Sequence, residues 1–259
     1  MRRAAHNLLP PMLLAAALLG AWELYADLGG AEPLVLPAPH AVAAALWNNP
    51  HLIWSNFATT AKEVAMGLTL ALLSGFAVAV AIHLFPLARR AVYPLAVGSQ
   101  AIPIPVIGVL LVFWWGFGVF PKLVVITLIC FFPVVVTTVD GLGAVDPDQL
   151  KLLRTLDASR WQAFRFAELP AALPAALSGA RIALAVGVIG AFIAETTTAT
   201  TGPYPGLGRE ITTDIGFQTA RAYAGTTVLF GFAIACFYGL ALAERRCSPS
   251  TSQPRGDTP

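Results

Sequence analysis

The sequence predicts an all-α membrane protein with about six transmembrane helices, all within a single domain at residues 1–245. Hydrophobic residues make up 57% of the 259 residues and charged residues 12%, and the mean hydropathy is +0.71. An average soluble domain has roughly 45–50% apolar and about 25% charged residues. The apolar residues also form blocks near or above the ~20 residues that a helix needs to cross hydrocarbon. A soluble fold would lack the polar residues to cover its surface.

Charge and cysteine content argue against several other functions. The net charge of +2 is too small to indicate nucleic-acid binding. Cys130 and Cys236 lie inside apolar blocks and Cys247 follows the last one, without paired or metal-ligand spacing. We therefore expect neither a disulfide framework nor a metal site.

The first apolar block, residues 8–28, follows two arginines, as a secretory signal would. Two acidic residues lie near its end and no clear small-residue cleavage site follows, which favours a retained transmembrane helix. Residues 34–40 are proline-rich and predict a surface stretch. Residues 41–57 form a short segment with Trp47 and Trp54, a residue type favoured at membrane interfaces.

The second span is predicted at residues 59–84 and the third at residues 91–117, where Pro103 and Pro105 interrupt it. Helix-breaking prolines are tolerated at membrane depth where neighbouring helices or a cavity satisfy the freed carbonyls. The two prolines are therefore candidates for a transport pathway or gate. A simple kink without a transport role is the alternative.

Three further spans complete the predicted layout, at residues 121–139, 174–197 and 222–243. The longest charged stretch, residues 140–168, separates the fourth span from the fifth. A loop rich in Thr, Gly and Pro, residues 198–221, precedes the sixth. Residues 246–259 are rich in Ser, Pro and Gly and predict a disordered cytoplasmic tail.

The distribution of basic residues tests this layout, because cytoplasmic loops carry an excess of Lys and Arg. One side of the predicted bundle carries most of them: Arg2, Arg3, Arg89, Arg90, Lys151, Arg154, Arg160, Arg165, Arg245 and Arg246. The other side carries Lys62, Lys122, Arg209 and Arg221, near span ends. Six spans with both termini in the cytoplasm satisfy the rule, which predicts a multi-pass protein of the cytoplasmic (inner) membrane.

The cytoplasmic loop at residues 146–170 predicts two short helices. The first carries an apolar stripe of Leu150, Leu153 and Leu156. The second begins after Ser159, a suitable N-cap, carries Trp161, Phe164 and Phe166, and should end at Pro170. Such a helix either packs as an ordinary loop or inserts its apolar side chains into a groove of a soluble partner.

The run at residues 156–184 closely resembles the signature loop of permease subunits of ABC importers, in the branch that moves nitrate, sulfonates, taurine, the pyrimidine precursor of thiamine, or riboflavin. Further matches follow in the same order along the chain, at residues 36–39, 113–118, 121–122, 131–133, 140–142 and 206–208. The resemblance implies a type I ABC importer permease fold. In that family the loop is a coupling helix, which sits in a cleft of the ATPase subunit.

Carried over to this chain, the resemblance assigns coupling to Leu156, Asp157, Ala158, Ser159, Trp161, Phe164 and Arg165, with Leu169 and Pro170 at the return to the membrane. The family usually has Gly where this chain has Asp157, a position where φ > 0 is expected and which Asp adopts less readily than Gly. The usual Glu-Ala-Ala triplet is replaced by residues 151–153, Lys-Leu-Leu.

Glu195 lies near the outer end of the fifth span and is separated from the Gly-Leu-Gly at residues 206–208 by a longer, Thr-rich link than the family usually has. An ionisable residue in a span indicates a pathway or gate role. The alternative is a helix-end residue exposed to interfacial water.

The sequence has no Gly-x-x-x-x-Gly-Lys-Ser/Thr loop, so we expect no nucleotide site and no cofactor on this chain. The resemblance implies that ATP and Mg bind a separate ATPase subunit. It also implies an extracytoplasmic substrate-binding protein, a homodimer of the permease in membrane lipid, and no nucleic-acid partner. The chain would then be a transport subunit and not an enzyme.

The substrate is the least determined prediction. Residues 131–133 and 140–142 resemble the thiamine-precursor and riboflavin members of the family more than the taurine and sulfonate members. The resemblance therefore implies a thiamine-precursor pyrimidine or riboflavin, with a sulfonate, taurine or nitrate as the alternative. Two other classes stay open. An intramembrane enzyme would need a catalytic constellation, whereas Ser74 and His83 are isolated in the sequence. A channel or single-component secondary transporter would need coupling-ion residues or internal repeats.

Overall fold

A computed structural model describes residues 2–98, 102–198 and 205–247. These residues form helices and connecting turns, without a strand among them, which confirms the all-α prediction. In chain order the helices are α1 (Arg2–Asp27), α2 (Pro39–Asn48), α3 (Pro50–Leu84), α4 (Pro86–Gly98), α5 (Ile104–Trp115), α6 (Val119–Gly143), α7 (Pro147–Thr155), α8 (Arg160–Ala163), a π-helical turn (Phe164–Glu168), α9 (Leu169–Thr197), α10 (Leu207–Asp214) and α11 (Thr219–Cys247).

Within the described residues, five helical segments are long and apolar enough to cross a membrane: Leu9–Asp27, Pro50–Leu84, Val119–Gly143, Arg160–Thr197 and Thr219–Leu242. The third predicted span is divided between α4 and α5, as its prolines predict. Pro103 is the N-cap of α5 and Pro105 lies in the first turn, where the missing N–H leaves no hydrogen bond unmade. The interrupted span is therefore confirmed.

Several element bounds differ from the prediction. α3 begins at Pro50 and not at residue 59, so the interfacial segment predicted at residues 41–57 is shared between α2 and α3. The loop predicted at residues 198–221 contains α10, a helix that its Thr- and Gly-rich composition did not indicate. α11 continues to Cys247, two residues into the predicted tail. The rest of that tail lies outside the described residues.

The expected helix end at Pro170 is wrong. The chain stays helical from Arg160 to Thr197, and Pro170 lies in the first turn of α9. The π-helical turn Phe164–Glu168 directly precedes it and changes the hydrogen-bond register. Pro170 cannot donate a backbone hydrogen bond, but the widened turn before it accommodates the proline ring without ending the helix.

The chain divides into two compact units. The first comprises Met1–Lys62 and Ala199–Gly231, and the second comprises Glu63–Thr198 and Phe232–Pro259. The predicted domain bounds, 1–245 and 246–259, stay predictions.

In the second unit, glycines bring α6 close to its neighbours. A methyl group on Gly67 of α3 would lie 2.5 Å from Ile126 Cγ2. One on Gly141 of α6 would lie 2.6 Å from the Cβ of Ala175 and 3.1 Å from the Cα of Ala172, both in α9. Small residues permit such helix contacts in lipid, where packing and not the hydrophobic effect drives association.

In the first unit, two side chains of α3 bind the start of α10. The Gly206 N–H donates to Asn56 Oδ1 (3.0 Å) and the Leu207 N–H donates to Thr60 Oγ1 (2.9 Å). Asn56 Nδ2 donates to Glu210 Oε2 (2.7 Å). Gly206 has φ +108°, which disfavours any other residue at this point. Burial raises the pKa of Glu210 above its ordinary value, although the Asn56 hydrogen bond opposes this.

Candidate functional site

The segment at residues 146–170 begins with α7, whose start is capped by its own sequence. The Asp148 N–H donates to Asp146 Oδ1 (2.8 Å), and Pro147 occupies the first turn. Such a cap is typical of helix N-termini. Leu150 and Leu153 face a cavity of about 330 Å³ between α7 and α8, whose lining also includes Arg154, Ala158, Arg160, Ala163 and Glu168.

A tight turn at Asp157 joins the two short helices. Asp157 has φ 55°, the left-handed conformation expected at this position. The N–H groups of Asp157 and Ala158 donate to Arg154 O (3.1 Å) and Leu153 O (3.0 Å), which satisfies carbonyls at the end of α7. Asp adopts this conformation because a short polar side chain tolerates the left-handed region.

The N-cap predicted at Ser159 is confirmed. The Gln162 N–H donates to Ser159 Oγ (3.3 Å), and the Ser159 N–H donates to Gln162 Oε1 (2.7 Å). This reciprocal pair is a capping box. It fixes where α8 begins and therefore which way the aromatic side chains after it point.

The three aromatic residues of this segment do not share one face. Phe164 is 4% exposed and packs with Leu142 and Ala172. Trp161 and Phe166 are 59% and 69% exposed. Phe164 therefore anchors the segment on the helix bundle. The Trp161 ring lies 5.4 Å from the Phe164 ring but is mostly exposed, and Phe166 is exposed as well. Sequence reasoning did not separate these roles.

Four large apolar side chains of the segment are exposed: Leu152, Leu156, Trp161 and Phe166. Arg165, another of the residues assigned to coupling, is also exposed. Exposed apolar groups mixed with charged residues are typical of a contact site for another protein.

A buried ionic cluster lies beneath α8 and was not predicted. Arg160 Nη1 donates to Glu168 Oε1 (2.5 Å), and Arg160 Nη2 lies 3.1 Å from His83 Nε2. The same His83 nitrogen lies 2.9 Å from Glu168 Oε2. The Glu168 side chain is 5% exposed, against 54% for Arg160. No local pattern signals this cluster, because His83 comes from α3, far away in sequence.

A second buried cluster joins three of the predicted spans. Lys122 Nζ of α6 donates to Glu63 Oε1 of α3 (2.8 Å), with side chains 1% and 4% exposed. Glu195 of α9 is fully buried and its carboxyl neighbours that of Glu63. Glu195 is thus not exposed to interfacial water. A buried acid in a span indicates a function or a structural ion pair.

The proline-broken region borders an apolar cavity of about 570 Å³ between α4, α5, α6 and α9. Its lining residues are Val92, Leu95, Ile102, Ile104, Ile107, Leu128, Ile129, Phe131, Phe132, Pro133 and Val186. All of these side chains are uncharged. Pro103 and Pro105 do not line the cavity, but they set the start of α5, which does.

Comparison with known proteins bears directly on this architecture. Residues 67–245 match the family described as "Binding-protein-dependent transport system inner membrane component". The chain belongs to this family of ABC importer permeases. The matched region contains the whole segment at residues 146–170 and both buried clusters except for Glu63.

Curated relatives of the permease have different named substrates. A "Probable ABC transporter permease protein" of Haemophilus influenzae is 33% identical over 90% of this chain and 94% of its own length. The formylaminopyrimidine transport permease ThiX of Halalkalibacterium halodurans is 32% identical over 77% and 80%. The taurine transport permease TauC of Escherichia coli is 31% identical over 90% and 86%.

The fold of the permease agrees with this membership. An inward-facing structure of the MetNI methionine ABC transporter matches with a TM-score of 0.65, covering 79% of this chain and 98% of that one at 17% identity. Identity this low shows the fold alone. The permease therefore has the type I ABC importer fold, and it is a transport subunit in a membrane.

Proposed function

We propose that this permease forms the substrate pathway of an ATP-driven importer and couples it to a separate ATPase subunit through residues 146–170. ATP and Mg bind that partner, and an extracytoplasmic binding protein delivers the substrate to two permease copies. The termini and the segment lie on the cytoplasmic side of the inner membrane. The distribution of Lys and Arg among the loops supports this orientation.

The observation that carries the coupling proposal is the different exposure of neighbouring aromatic residues. Phe164 is fixed in the bundle beside Leu142, while Trp161 and Phe166 of the same segment are exposed, as are Leu152 and Leu156. Exposing large apolar side chains outside the hydrocarbon region is unfavourable unless a partner covers them. A cleft of the ATPase subunit would cover them, and the anchored Phe164 would transmit its movement to α6 and α9.

We further propose an uncharged or weakly polar organic substrate, with a thiamine-precursor pyrimidine or riboflavin favoured. The lining of the apolar cavity supports this choice, because Phe131 and Phe132 offer ring faces and none of the lining side chains is charged. A sulfonate or taurine would leave its anionic group without a cation there. The named relatives do not discriminate, since ThiX and TauC are almost equally similar to the chain.

The test is co-expression of the permease with a candidate ATPase subunit, followed by purification in lipid nanodiscs. Wild-type permease should retain the ATPase subunit, and Trp161→Ala should weaken its retention. Trp47→Ala is the matched control, because Trp47 is 85% exposed but lies in α2. Equal retention by both variants, or none by wild type, would contradict the proposal.

A single-component transporter is the second candidate, and the Glu63–Lys122 pair with Glu195 is the observation that favours it. Secondary transporters use ionisable groups within spans to couple ions to substrate. Uptake by proteoliposomes that hold the permease alone, driven by an ion gradient, would support this candidate. Uptake that requires the ATPase subunit and ATP would exclude it.

A further inference from the structure

The cluster of Arg160, Glu168 and His83 connects three parts of the chain that the proposed coupling must move together. Arg160 opens α8, Glu168 ends the π-helical turn before α9, and His83 lies in the last turn of α3. Glu168 accepts from Arg160 at 2.5 Å and lies 2.9 Å from His83 Nε2. A hydrogen bond between ionised groups is about twice as strong as a neutral one.

We infer that Arg160, Glu168 and His83 are positioning residues that transmit displacement of the cytoplasmic segment to α3 and α9. This inference rests on the proposed coupling function. Trp161 and Phe166 would contact the partner, whereas these three residues contact each other. Phe164 supplies an apolar attachment to the bundle, but apolar contacts are non-directional. The hydrogen bonds from Arg160 to Glu168 and His83 are directional, so they fix the orientation of α8 relative to these two residues.

The geometry around His83 Nε2 brings α3 into contact with both other members of the cluster. The nitrogen lies 3.1 Å from the Arg160 donor and 2.9 Å from the Glu168 acceptor. An Nε2 without a proton accepts from Arg160, whereas an Nε2 that carries a proton donates to Glu168. Either tautomer therefore links α3 to one of the two residues.

The charged groups that face His83 are therefore Glu168 from the π-helical turn and Arg160 from α8. The other residues packed at this end of α3 are apolar: Leu142, Phe164, Leu169 and Ala172. The polar connection between α3 and the segment at residues 146–170 therefore depends on these three side chains.

The experiment uses the complex of permease, ATPase subunit and binding protein in nanodiscs, and measures the stimulation of ATP hydrolysis by substrate-loaded binding protein. Glu168→Gln should retain the ATPase subunit but lower this stimulation roughly tenfold, as expected for loss of one charge-assisted hydrogen bond. Arg160→Gln should do the same, and it is the safer variant because Arg160 is half exposed. Arg90→Gln, at an exposed arginine of α4 outside residues 146–170, is the matched control and should change nothing.

The contrast between retention and stimulation separates transmission from simple structural support. His83→Ala, which removes the α3 side of the cluster, should lower the stimulation while basal ATP hydrolysis and ATPase retention stay at the wild-type level. Unchanged stimulation in Arg160→Gln or in His83→Ala would overturn the inference while leaving ATPase retention, and so the proposed function, intact. Failure of wild type to retain the ATPase subunit would overturn both.

Discussion

Phe164 and Phe166 are two residues apart in the same π-helical turn, yet the structure gives them opposite surroundings. Phe164 is 4% exposed and packs with Leu142 and Ala172, whereas Phe166 is 69% exposed. Replacing each with Ala removes the same atoms. Any difference between the two variants therefore reports the environment and not the chemistry of the substitution.

We predict that Phe164→Ala lowers the stability of the permease and that Phe166→Ala does not. Truncating a buried Phe costs about 3–5 kcal/mol from lost burial and the remaining cavity, whereas an exposed substitution usually changes stability by less than about 0.5 kcal/mol. At roughly 2–4 °C per kcal/mol for a chain of this size, Phe164→Ala should unfold about 6–20 °C earlier. Phe166→Ala should unfold at the same temperature as wild type but bind the ATPase subunit more weakly.

Thermal unfolding of both purified variants by differential scanning fluorimetry, followed by an ATPase pull-down, provides the assay. Each sample is first checked by size exclusion, so that aggregation is not mistaken for unfolding. Unfolding of Phe164→Ala at the wild-type temperature would refute this prediction, and so would an equal loss of stability in both variants. The second result would mean that the two aromatic side chains share one face after all.

Three further predictions concern backbone conformation, packing and charge. Asp157→Val should lower the unfolding temperature and Asp157→Gly should not, because a β-branched residue at φ 55° costs about 1–2 kcal/mol. Gly141→Ala should destabilise by about 1–3 kcal/mol, since its methyl group would lie 3.1 Å from the Cα of Ala172. The wild-type permease should lose stability as the pH rises above 4.5, the ordinary pKa of a Glu carboxyl, and Glu210→Gln should reduce this loss.

The sign of the Glu210 prediction follows from its raised pKa. Burial keeps the proton on the folded protein to a higher pH than on the unfolded chain, so the unfolded state binds fewer protons in that interval and stability falls as the pH rises. Urea unfolding across this pH range would measure it. An increase in stability with pH that Glu210→Gln abolished would contradict the sign.

The other two predictions are tested by the same unfolding measurement. Equal stability of Asp157→Val and Asp157→Gly would contradict the backbone prediction. Equal stability of Gly141→Ala and wild type would contradict the packing prediction.

Local features of the segment at residues 146–170 could be predicted from the sequence because they depend on near neighbours. Ser159 and Gln162 are three residues apart, so the capping box is visible in the order of residues. The positive φ at Asp157 was expected from the usual Gly at that position. The broken third span was likewise visible, because proline acts on its own backbone.

The different burial of Phe164 and Phe166 could not be predicted, because the π-helical turn at Phe164–Glu168 alters the helical period. Sequence spacing assigns residues to helix faces on the basis of 3.6 residues per turn, and one widened turn shifts that assignment. The two polar clusters were hidden for a different reason. Arg160 meets His83, and Lys122 meets Glu63, only after separate spans have packed together.

The central claim is that residues 146–170 contact an ATPase subunit, and site-specific photocrosslinking tests it most directly. A photoreactive amino acid would replace Trp161, or Trp47 as the control, in nanodiscs that hold the permease with its candidate ATPase subunit. We predict a crosslink to the ATPase subunit from position 161 and none from position 47. Crosslinks from position 161 to lipid alone would contradict it.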